Sequence, residues 1–276
     1  MLSKVARIEQ SVGHTNNEAL HFNWRYSELE KEVFSNFQTD DYCGKDLVDF
    51  GCGHGQLSII LIKECYANKV YAIDLSDDSI DVARQSIRGA NLITKIEVKK
   101  GLPNKIPIDD GIIDYVLCFD VMEHILDIDS IMHEWWRILK PGGHVHICWN
   151  AFWPNPWGSH MRTLVPIPWL HLFISEKCFC SLATCVYNDP NYQHKFWDYD
   201  HDGRLKERNF SFANDLNKLW PHVFRKKILS SNLFAIDRFE NKGFGSKIAR
   251  FTKWFSKIPI IKDMFSSEIV VSIRKF

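Results

Sequence analysis

The chain of 276 residues has no net charge, no long apolar run and no paired cysteines. Its 34 Lys and Arg residues balance 34 Asp and Glu residues, which argues against a general nucleic-acid binder. The N-terminal stretch MLSKVARIEQ has no apolar signal-peptide core, and the longest apolar run of the front half, residues 57–62, is interrupted by Ser58. We therefore expect a cytoplasmic protein without a membrane span and without a nucleic-acid partner.

The eight cysteines lack the CxxC spacing of zinc sites. Those that stand singly are typical of small core residues in a reducing compartment. The single cluster, CFCSLATC, contains Cys178, Cys180 and Cys185, and it would need His171 or His194 to complete a tetrahedral site. We expect no metal there.

Strand and helix patterns alternate along the first half of the chain. Helices are predicted over residues 23–37, 55–65, 77–88 and 129–139, and strands over 46–50, 69–74, 93–99, 112–119 and 144–149. Ser76 is a suitable N-cap for the helix over 77–88, and Lys140-Pro-Gly-Gly ends the helix over 129–139. This rhythm predicts an α/β fold with a doubly wound, mostly parallel sheet and helices on both faces.

The rhythm fails after residue 150, where Pro154, Pro156, Pro166 and Pro168 break any long helix. We interpret 151–211 as a cap inserted after the fifth strand. A helix over 212–229 and strands over 233–239 and 268–274 complete a seven-stranded sheet whose last strand is antiparallel. The expected parts of this single domain are a helical segment at 1–45, a ligand-binding core at 46–150, the cap at 151–211 and a closing part at 212–276.

The stretch VDFGCGHG places Asp49, Gly51, Gly53 and Gly55 at the end of the first strand. Glycine allows a ligand to approach the backbone, and such a turn in a parallel sheet is a nucleotide-binding position. A dinucleotide fingerprint would need glycine at Gln56, and the Asp49 carboxylate would repel a pyrophosphate but suit a cationic amino group. A tight connection without any ligand is the structural alternative.

The motifs VDFGCGHG, AIDLS, IPIDDGIIDYVLCFDVMEHI and RILKPGGHVHI occur in one order along residues 45–149. In this combination the chain resembles the class I S-adenosylmethionine-dependent methyltransferases. The resemblance implies a Rossmann-like fold, S-adenosylmethionine as the cofactor and methyl transfer as the activity.

The resemblance also implies which residues meet the cofactor. The glycine turn with Asp49 would hold the methionine part, and Asp74 and Leu75, at the end of the second strand, would hold the ribose and adenine. Asp74 also suits a ribose on chemical grounds, since a carboxylate can accept hydrogen bonds from both hydroxyls. Leu102 stands where the family often has an aspartate near the adenine amine. Phe119 and Asp120, after the fourth strand, would border the cofactor.

A hydroxyl acceptor would benefit from a general base, and His124, His160 and His171 are the candidates. Each of them could instead have a purely structural role. The stretch DVMEH, with Asp120, Glu123 and His124, is similar to one that holds a divalent ion in quinone-type O-methyltransferases. Because consecutive Glu and His side chains point in different directions on a helix or turn, we expect no metal there.

Two further segments bear on the acceptor. The cap tryptophans Trp153, Trp157 and Trp169 indicate an apolar, aromatic or sugar-bearing acceptor, or else a small separate core. The segment 247–258 predicts a basic amphipathic helix that contacts an anionic inner membrane surface or docks on the domain. Its apolar face has Ile248, Phe251, Trp254, Phe255 and Ile258, and its basic face has Lys247, Arg250, Lys253 and Lys257.

These features together predict a methyltransferase that acts on a small-molecule, sugar or lipid-linked acceptor, at oxygen or nitrogen. A noncatalytic nucleoside-binding or scaffold protein of the same fold is the alternative, because methyl transfer needs no universal catalytic residue. A nicotinamide-dependent oxidoreductase is disfavoured by Asp49 and Gln56. An amino-methylating nucleic-acid enzyme is disfavoured because FDVM stands where an NPPY-like tetrad is expected.

Overall fold

The computed structural model of the protein describes residues 16–195, 198–199, 204–212, 216–243 and 258–276. Its strands are β1 (Asp46–Phe50), β2 (Lys69–Asp74), β3 (Ile96–Lys100), β4 (Ile113–Phe119), β5 (Leu139–Trp149), β6 (Phe234–Gly243) and β7 (Ser266–Lys275). The helices are α1 (Asn16–Asn36), α2 (Gln56–Lys63), α3 (Asp77–Gly89), α4 (Ile128–Ile138), α5 (Leu170–Phe173), α6 (Glu176–Tyr187), α7 (Pro221–Ser231) and α8 (Pro259–Met264). Short 3-10 turns lie at Thr39–Tyr42 and Met122–His124.

The strands form one sheet in the order β3-β2-β1-β4-β5-β7-β6. β1 pairs in parallel with β2 and β4, and β2 pairs in parallel with β3. Six strands are parallel and β7 is antiparallel, so the predicted seven-stranded Rossmann-like sheet is confirmed. The carboxyl ends of parallel strands meet at one edge of a sheet, which brings the residues after β1 and β2 together.

Local signals explain the elements that carry the glycine turn. β1 and β2 have the predicted bounds, and their inward residues are fully buried. α3 begins where expected, because the Ser76 side chain accepts a hydrogen bond from the N–H of Ser79. Ile80, Ala83 and Ile87 form the buried face of this helix.

The helix predicted over 212–229 is wrong in its first half. Residues 216–220 are not helical, and α7 begins at Pro221, where a proline is tolerated in the first helical turn. Lys218 has a left-handed φ of 52°, which a continuing helix excludes. Apolar spacing alone could not show this interruption.

Two further elements differ from the sequence expectation. β5 begins at Leu139, ahead of the Pro-Gly-Gly turn, rather than at residue 144. A Cβ on Gly143 would lie 3.0 Å from the Asp114 carbonyl oxygen, so glycine permits the close approach of β4 here. In the cap, α6 forms between Pro168 and Pro190, with Ser175 as its N-cap.

The chain divides into two compact units, Met1–Phe119 with Asp127–His146 and Ile273–Phe276, and Asp120–Leu126 with Ile147–Ser272. The first unit contains the glycine turn. The second has its own apolar cluster, which includes Leu164, Val165, Phe179, Tyr187 and Phe212. Among the described residues, no helix is both long and apolar enough to cross a membrane. Of the predicted amphipathic segment 247–258, only Ile258 lies within the described residues.

Candidate functional site

The turn between β1 and α2 contains three glycines with left-handed backbone. Gly51, Gly53 and Gly55 have φ values of 78°, 51° and 85°, a region that residues with a side chain rarely adopt. A Cβ on Gly53 would meet nothing within 4 Å, whereas a Cβ on Gly55 would lie 3.5 Å from Ala83. The backbone at Gly53 is therefore open to a ligand.

Asp74, the last residue of β2, faces this turn. Its Oδ2 accepts the N–H of Gly53 and its Oδ1 accepts the N–H of Ser76, each at 2.9 Å. The N–H of Gly51 donates to the Ile73 carbonyl at 2.8 Å, which ties the turn to β2. Because each carboxylate oxygen can accept more than one hydrogen bond, Asp74 is positioned to accept ribose hydroxyls as well.

Two leucines flank the region after Asp74. The N–H of Gly101 donates to the Asp74 carbonyl at 2.8 Å, so the chain after β3 lies beside the chain after β2. Leu75 and Leu102 are 52% and 56% exposed. They offer an apolar surface of the kind that suits the flat face of a nucleobase.

Asp49 is 2% exposed and accepts a hydrogen bond from the Ser58 hydroxyl at 2.6 Å. Burial raises the pKa of this carboxyl to about 7, and the charge of Asp74 adds to the rise, whereas the bond from Ser58 opposes it. A cation bound nearby would favour the ionised form. The site therefore suits a ligand that brings a positive group to the glycine turn.

Gln56, the first residue of α2, adds a donor to the same turn. It is buried, and its Nε2 has no hydrogen-bond acceptor among the described residues. Buried amide groups are normally paired, so an acceptor on a ligand would complete this one. A carboxylate would meet that need, and together with Asp49 this suits the zwitterion of an amino acid such as the methionine part of S-adenosylmethionine.

The two candidates at the end of β4 differ in their surroundings. Phe119 is buried and its ring packs against Phe37 with centroids 5.7 Å apart, so it has a core role. Asp120 has a left-handed φ of 53°, donates its N–H to the Cys148 carbonyl and accepts the N–H of Asn150 at Oδ1. A non-glycine residue in this conformation is strained, and such strain concentrates at functional sites.

Glu123, His124 and His160 come together in the second unit. One ligand-type atom from each of them lies within 4.8 Å of the others, a grouping that could hold a metal ion. The expectation that Glu123 and His124 diverge is therefore wrong, because the 3-10 turn at Met122–His124 turns both side chains toward His160. The rings of His124 and His160 meet edge to face at 5.3 Å.

His160 has the geometry of a proton acceptor. Its Nε2 lies 3.1 Å from the Ala151 carbonyl oxygen and 3.7 Å from Glu123 Oε1. Because a carbonyl can only accept, Nε2 carries the proton of the neutral ring and Nδ1 carries the lone pair. Burial lowers the pKa of His160, with the charge of His124 as a further cause, so the ring is neutral at neutral pH.

The structure gives His171 a packing role. The side chain is buried, its Nε2 donates to the Trp153 carbonyl at 2.8 Å, and its ring packs against Trp153 and Phe179. Trp153 itself packs on the apolar cluster of the second unit, and Trp169 donates from Nε1 to the Met264 carbonyl at 3.1 Å. These contacts match one of the two alternatives expected from the sequence for the cap tryptophans, namely a small separate core.

Sequence reasoning missed Ser58 and Gln56 as site residues, and it named Glu123 without its approach to His160. Ser58 lies in the first turn of α2, and a polar residue in a helix that is otherwise LxIILI could have signalled a partner for Asp49. No local signal brings His160 to Glu123, because 37 positions separate them in the sequence. All eight cysteines are unpaired, and among the described residues the metal-type grouping does not include those of the CFCSLATC cluster.

Comparison with known proteins extends these observations. Residues 48–147 match a family model described as a methyltransferase domain. A demethylmenaquinone methyltransferase of Lactobacillus johnsonii is 29% identical over 166 residues, which cover 59% of this chain and 65% of that protein. The match thus spans less than two thirds of that relative's length.

Solved structures show the same fold. An S-adenosylmethionine dependent methyltransferase from Listeria monocytogenes has a TM-score of 0.52 at 15% identity, with 91% of this chain and 99% of that chain covered. A geranyl diphosphate C-methyltransferase from Streptomyces coelicolor also has a TM-score of 0.52, at 12% identity, with 91% of this chain and 80% of that chain covered. Residues 48–147 are thus similar to a methyltransferase domain, in agreement with the glycine turn and the sheet order, and the cofactor that this likeness supports is S-adenosylmethionine.

Proposed function

We propose that this protein transfers a methyl group from S-adenosylmethionine to a small hydroxylated aromatic acceptor of the quinol type. The observation that carries the proposal is the convergence of Glu123, His124 and His160 in the second unit. The name of the Lactobacillus johnsonii relative supports a quinol-type ring as the acceptor.

The first unit would bind the cofactor. Gly53 leaves room for the amino-acid part, and Asp49 is placed to offset its positive charge. Asp74 would accept the ribose hydroxyls, with Leu75 and Leu102 against the adenine. When bound, the cofactor supplies an electrophilic methyl group on a sulfonium.

The second unit would prepare the acceptor. His160 is neutral at neutral pH and has its lone pair at Nδ1, so it can take the proton of a ring hydroxyl. Glu123, 3.7 Å from the other ring nitrogen, stabilises the imidazolium that results. His124 lies edge to face with the same ring and helps to fix its orientation.

His160 would take one proton from the acceptor hydroxyl. The bound cofactor would supply the methyl group, and the phenolate would accept it at the oxygen, or at a ring carbon beside it that shares the phenolate charge, with the cofactor thioether as the leaving group. After methylation at carbon, that carbon would lose its proton and the oxygen would regain one from His160, which restores the aromatic ring. Holding nucleophile, methyl carbon and sulfur in line is the main catalytic task, because proximity supplies much of the rate.

The cap residues 151–211 supply His160 and the aromatic side chains of the acceptor side in this proposal. A prenylated acceptor would reside in a membrane, and the basic segment 247–258 would then bring the protein to an anionic membrane surface. Vesicle flotation with anionic and with neutral lipid tests this part separately from methyl transfer.

The proposal is tested with radiolabelled methyl groups. S-adenosylmethionine labelled in its methyl group is incubated with the protein and with chemically reduced demethylmenaquinone or a short-chain naphthoquinol. Labelled product is expected, and its cleavage pattern distinguishes methylation at oxygen from methylation at carbon. Binding of S-adenosylhomocysteine without any labelled product from quinols or cell-extract fractions would favour the noncatalytic alternative.

The same assay separates two ways of activating the acceptor. If His160 acts as a base, EDTA leaves the rate unchanged. If Glu123, His124 and His160 hold a divalent ion beside the acceptor oxygen, EDTA abolishes the rate and Mg²⁺ or Zn²⁺ restores it. Calorimetry with NADH is expected to show no binding, in contrast to S-adenosylhomocysteine.

A further inference from the structure

Asn217 holds the backbone of the turn that carries Glu123 and His124. Its Nδ2 donates to the carbonyls of Met122 and Ile125 at 2.6 and 2.9 Å. Its own N–H donates to the Glu123 carbonyl at 2.8 Å. One residue, 92 or more positions away in the sequence, thus satisfies three carbonyls of a segment only four residues long.

The backbone around Asn217 is fixed to the apolar cluster of the second unit. Leu216 is buried in that cluster, and its N–H donates to the Phe212 carbonyl at 3.0 Å. The Lys218 ammonium lies 3.2 Å from Glu176 Oε2 and 5.3 Å from the centre of the Trp153 ring. Contacts on both sides therefore hold Asn217 in place.

The conformation of this segment is strained. Lys218 has a φ of 52°, which costs a residue with a Cβ about 1 kcal/mol. Asn217 Oδ1 accepts the N–H of Leu219 at 2.9 Å, a local turn that fixes the side-chain amide. The strain persists because the surrounding contacts determine the backbone, and residues held in this way often have a functional reason.

Asn217 acts on the turn at residues 122–125 through the backbone carbonyls of that turn. A 3-10 turn of three residues has few hydrogen bonds of its own, and here the N–H of Ile125 reaches the Met122 carbonyl at 3.3 Å. Without the amide of Asn217, the carbonyls of Met122 and Ile125 lose a donor and the turn can relax. The side chains of Glu123 and His124 would then move relative to His160.

We propose that Asn217 is a positioning residue. It connects the apolar cluster of the second unit to the turn at residues 122–125, here called the acceptor turn, and so holds Glu123 and His124 against His160. This inference rests on the proposed function, since the turn is the place where the acceptor is prepared. Asn217 touches neither acceptor nor cofactor in this role. It sets the geometry of the side chains that do.

The test compares Asn217→Ala and Asn217→Asp with a matched control. Asn217→Asp keeps the size of the side chain and replaces two donors with acceptors that face carbonyl oxygens. Asn241→Ala is the control, because Asn241 is another half-buried asparagine of the second unit, and its Nδ2 donates to Asp263 Oδ1 and Ser266 Oγ rather than to the acceptor turn.

Histidine NMR provides a measurement that does not depend on the acceptor. In Asn217→Ala the ring signals of His124 and His160 shift in spectra recorded at one pH, whereas in Asn241→Ala they remain as in the wild type. Asn217→Asp gives at least as large a shift. Unchanged ring signals of both histidines in both Asn217 variants would overturn the proposal.

Kinetics then separate this proposal from the proposed function. In Asn217→Ala we expect kcat for methyl transfer to the naphthoquinol to fall at least tenfold, with the affinity for S-adenosylhomocysteine within twofold of the wild type. Equal losses of kcat in Asn217→Ala and Asn241→Ala would count against a positioning role. If the wild type transfers no methyl group, the proposed function fails, and the NMR comparison alone decides the role of Asn217.

Discussion

The glycine turn and the residues around the acceptor turn use the same left-handed backbone conformation in opposite ways. At Gly51, Gly53 and Gly55 the conformation occurs at residues without a side chain, so it costs little, and at Gly53 it leaves the backbone open. At Asp120 and His160, with φ values of 53° and 59°, it occurs at residues whose side chains are polar and ionisable. The first region offers backbone to a ligand, and the second tolerates strain to place side chains.

The two regions also differ in how they are assembled. Asp49 and Asp74 lie 25 positions apart, and their places follow from adjacent parallel strands. The residues proposed to prepare the acceptor lie at 120–124, at His160 and at Asn217. Their places depend on contacts within the second unit. Substitutions in the first region should affect cofactor binding, and substitutions in the second should affect turnover.

The largest expected effect comes from His160→Ala. Loss of a general base typically lowers a rate by two to four orders of magnitude, so we expect methyl transfer to fall about 1,000-fold with unchanged S-adenosylhomocysteine affinity. His171→Ala should instead lower the melting temperature, because it opens a cavity in the cap cluster. If the two variants show the same loss of turnover and stability, the distinction between these histidines does not hold.

A smaller effect is expected from Asp74→Ala, which removes the acceptor of the Gly53 N–H and the acceptor that we propose for the ribose hydroxyls. Two hydrogen bonds to a charged group contribute about 3 kcal/mol, which corresponds to roughly 100-fold weaker S-adenosylhomocysteine binding by calorimetry. Asp77→Ala, which removes an exposed carboxylate paired with Lys100, should leave the affinity unchanged. Equal losses in both variants would contradict a specific ribose contact.

Gly53→Ala tests the open backbone directly. The added Cβ meets no protein atom but occupies the space that the ligand would fill, so we expect about tenfold weaker S-adenosylhomocysteine binding. Gly44→Ala is the matched control, since Gly44 has a φ of 71° and its Cβ would also meet nothing. Both variants should lose about 1 kcal/mol of stability, and only Gly53→Ala should lose affinity.

The smallest expected effect is a pH dependence from Asp49. Its pKa of about 7 means that the carboxyl loses its charge as the pH falls, so S-adenosylhomocysteine binding should weaken roughly fivefold from pH 8 to pH 6. Asp49→Asn should remove this dependence. A wild-type affinity that stays constant over this range would show that the charge of Asp49 does not contribute to ligand binding.

Stability gives an independent check on Asp49. Because its folded pKa is raised, the protonated form favours folding, and this contribution is complete below about pH 4 and is lost as the pH rises to about 7. Relative to Asp49→Asn, the wild type should therefore become less stable across this interval. Urea unfolding at pH 4 and pH 8 measures the difference.

The sequence predicted the first region well because its signals are local. The strands over 46–50 and 69–74, the Ser76 cap and the glycine turn each depend on residues within a few positions. The helix over 212–229 failed because Asn217 and Lys218 bond to residues far away in the sequence. Apolar periodicity carries no information about such contacts.

The sequence by itself determined the order of strands and helices, the glycine turn and the acidic residues that end β1 and β2, because backbone preferences and hydrophobic periodicity act over short distances. Only the tertiary structure decided that His160 meets Glu123 and His124, that His171 packs in the cap, and that Asn217 fastens the acceptor turn. These pairings arise from side chains that approach one another across 37 to more than 90 positions, where packing and hydrogen-bond satisfaction, rather than local propensity, select the conformation.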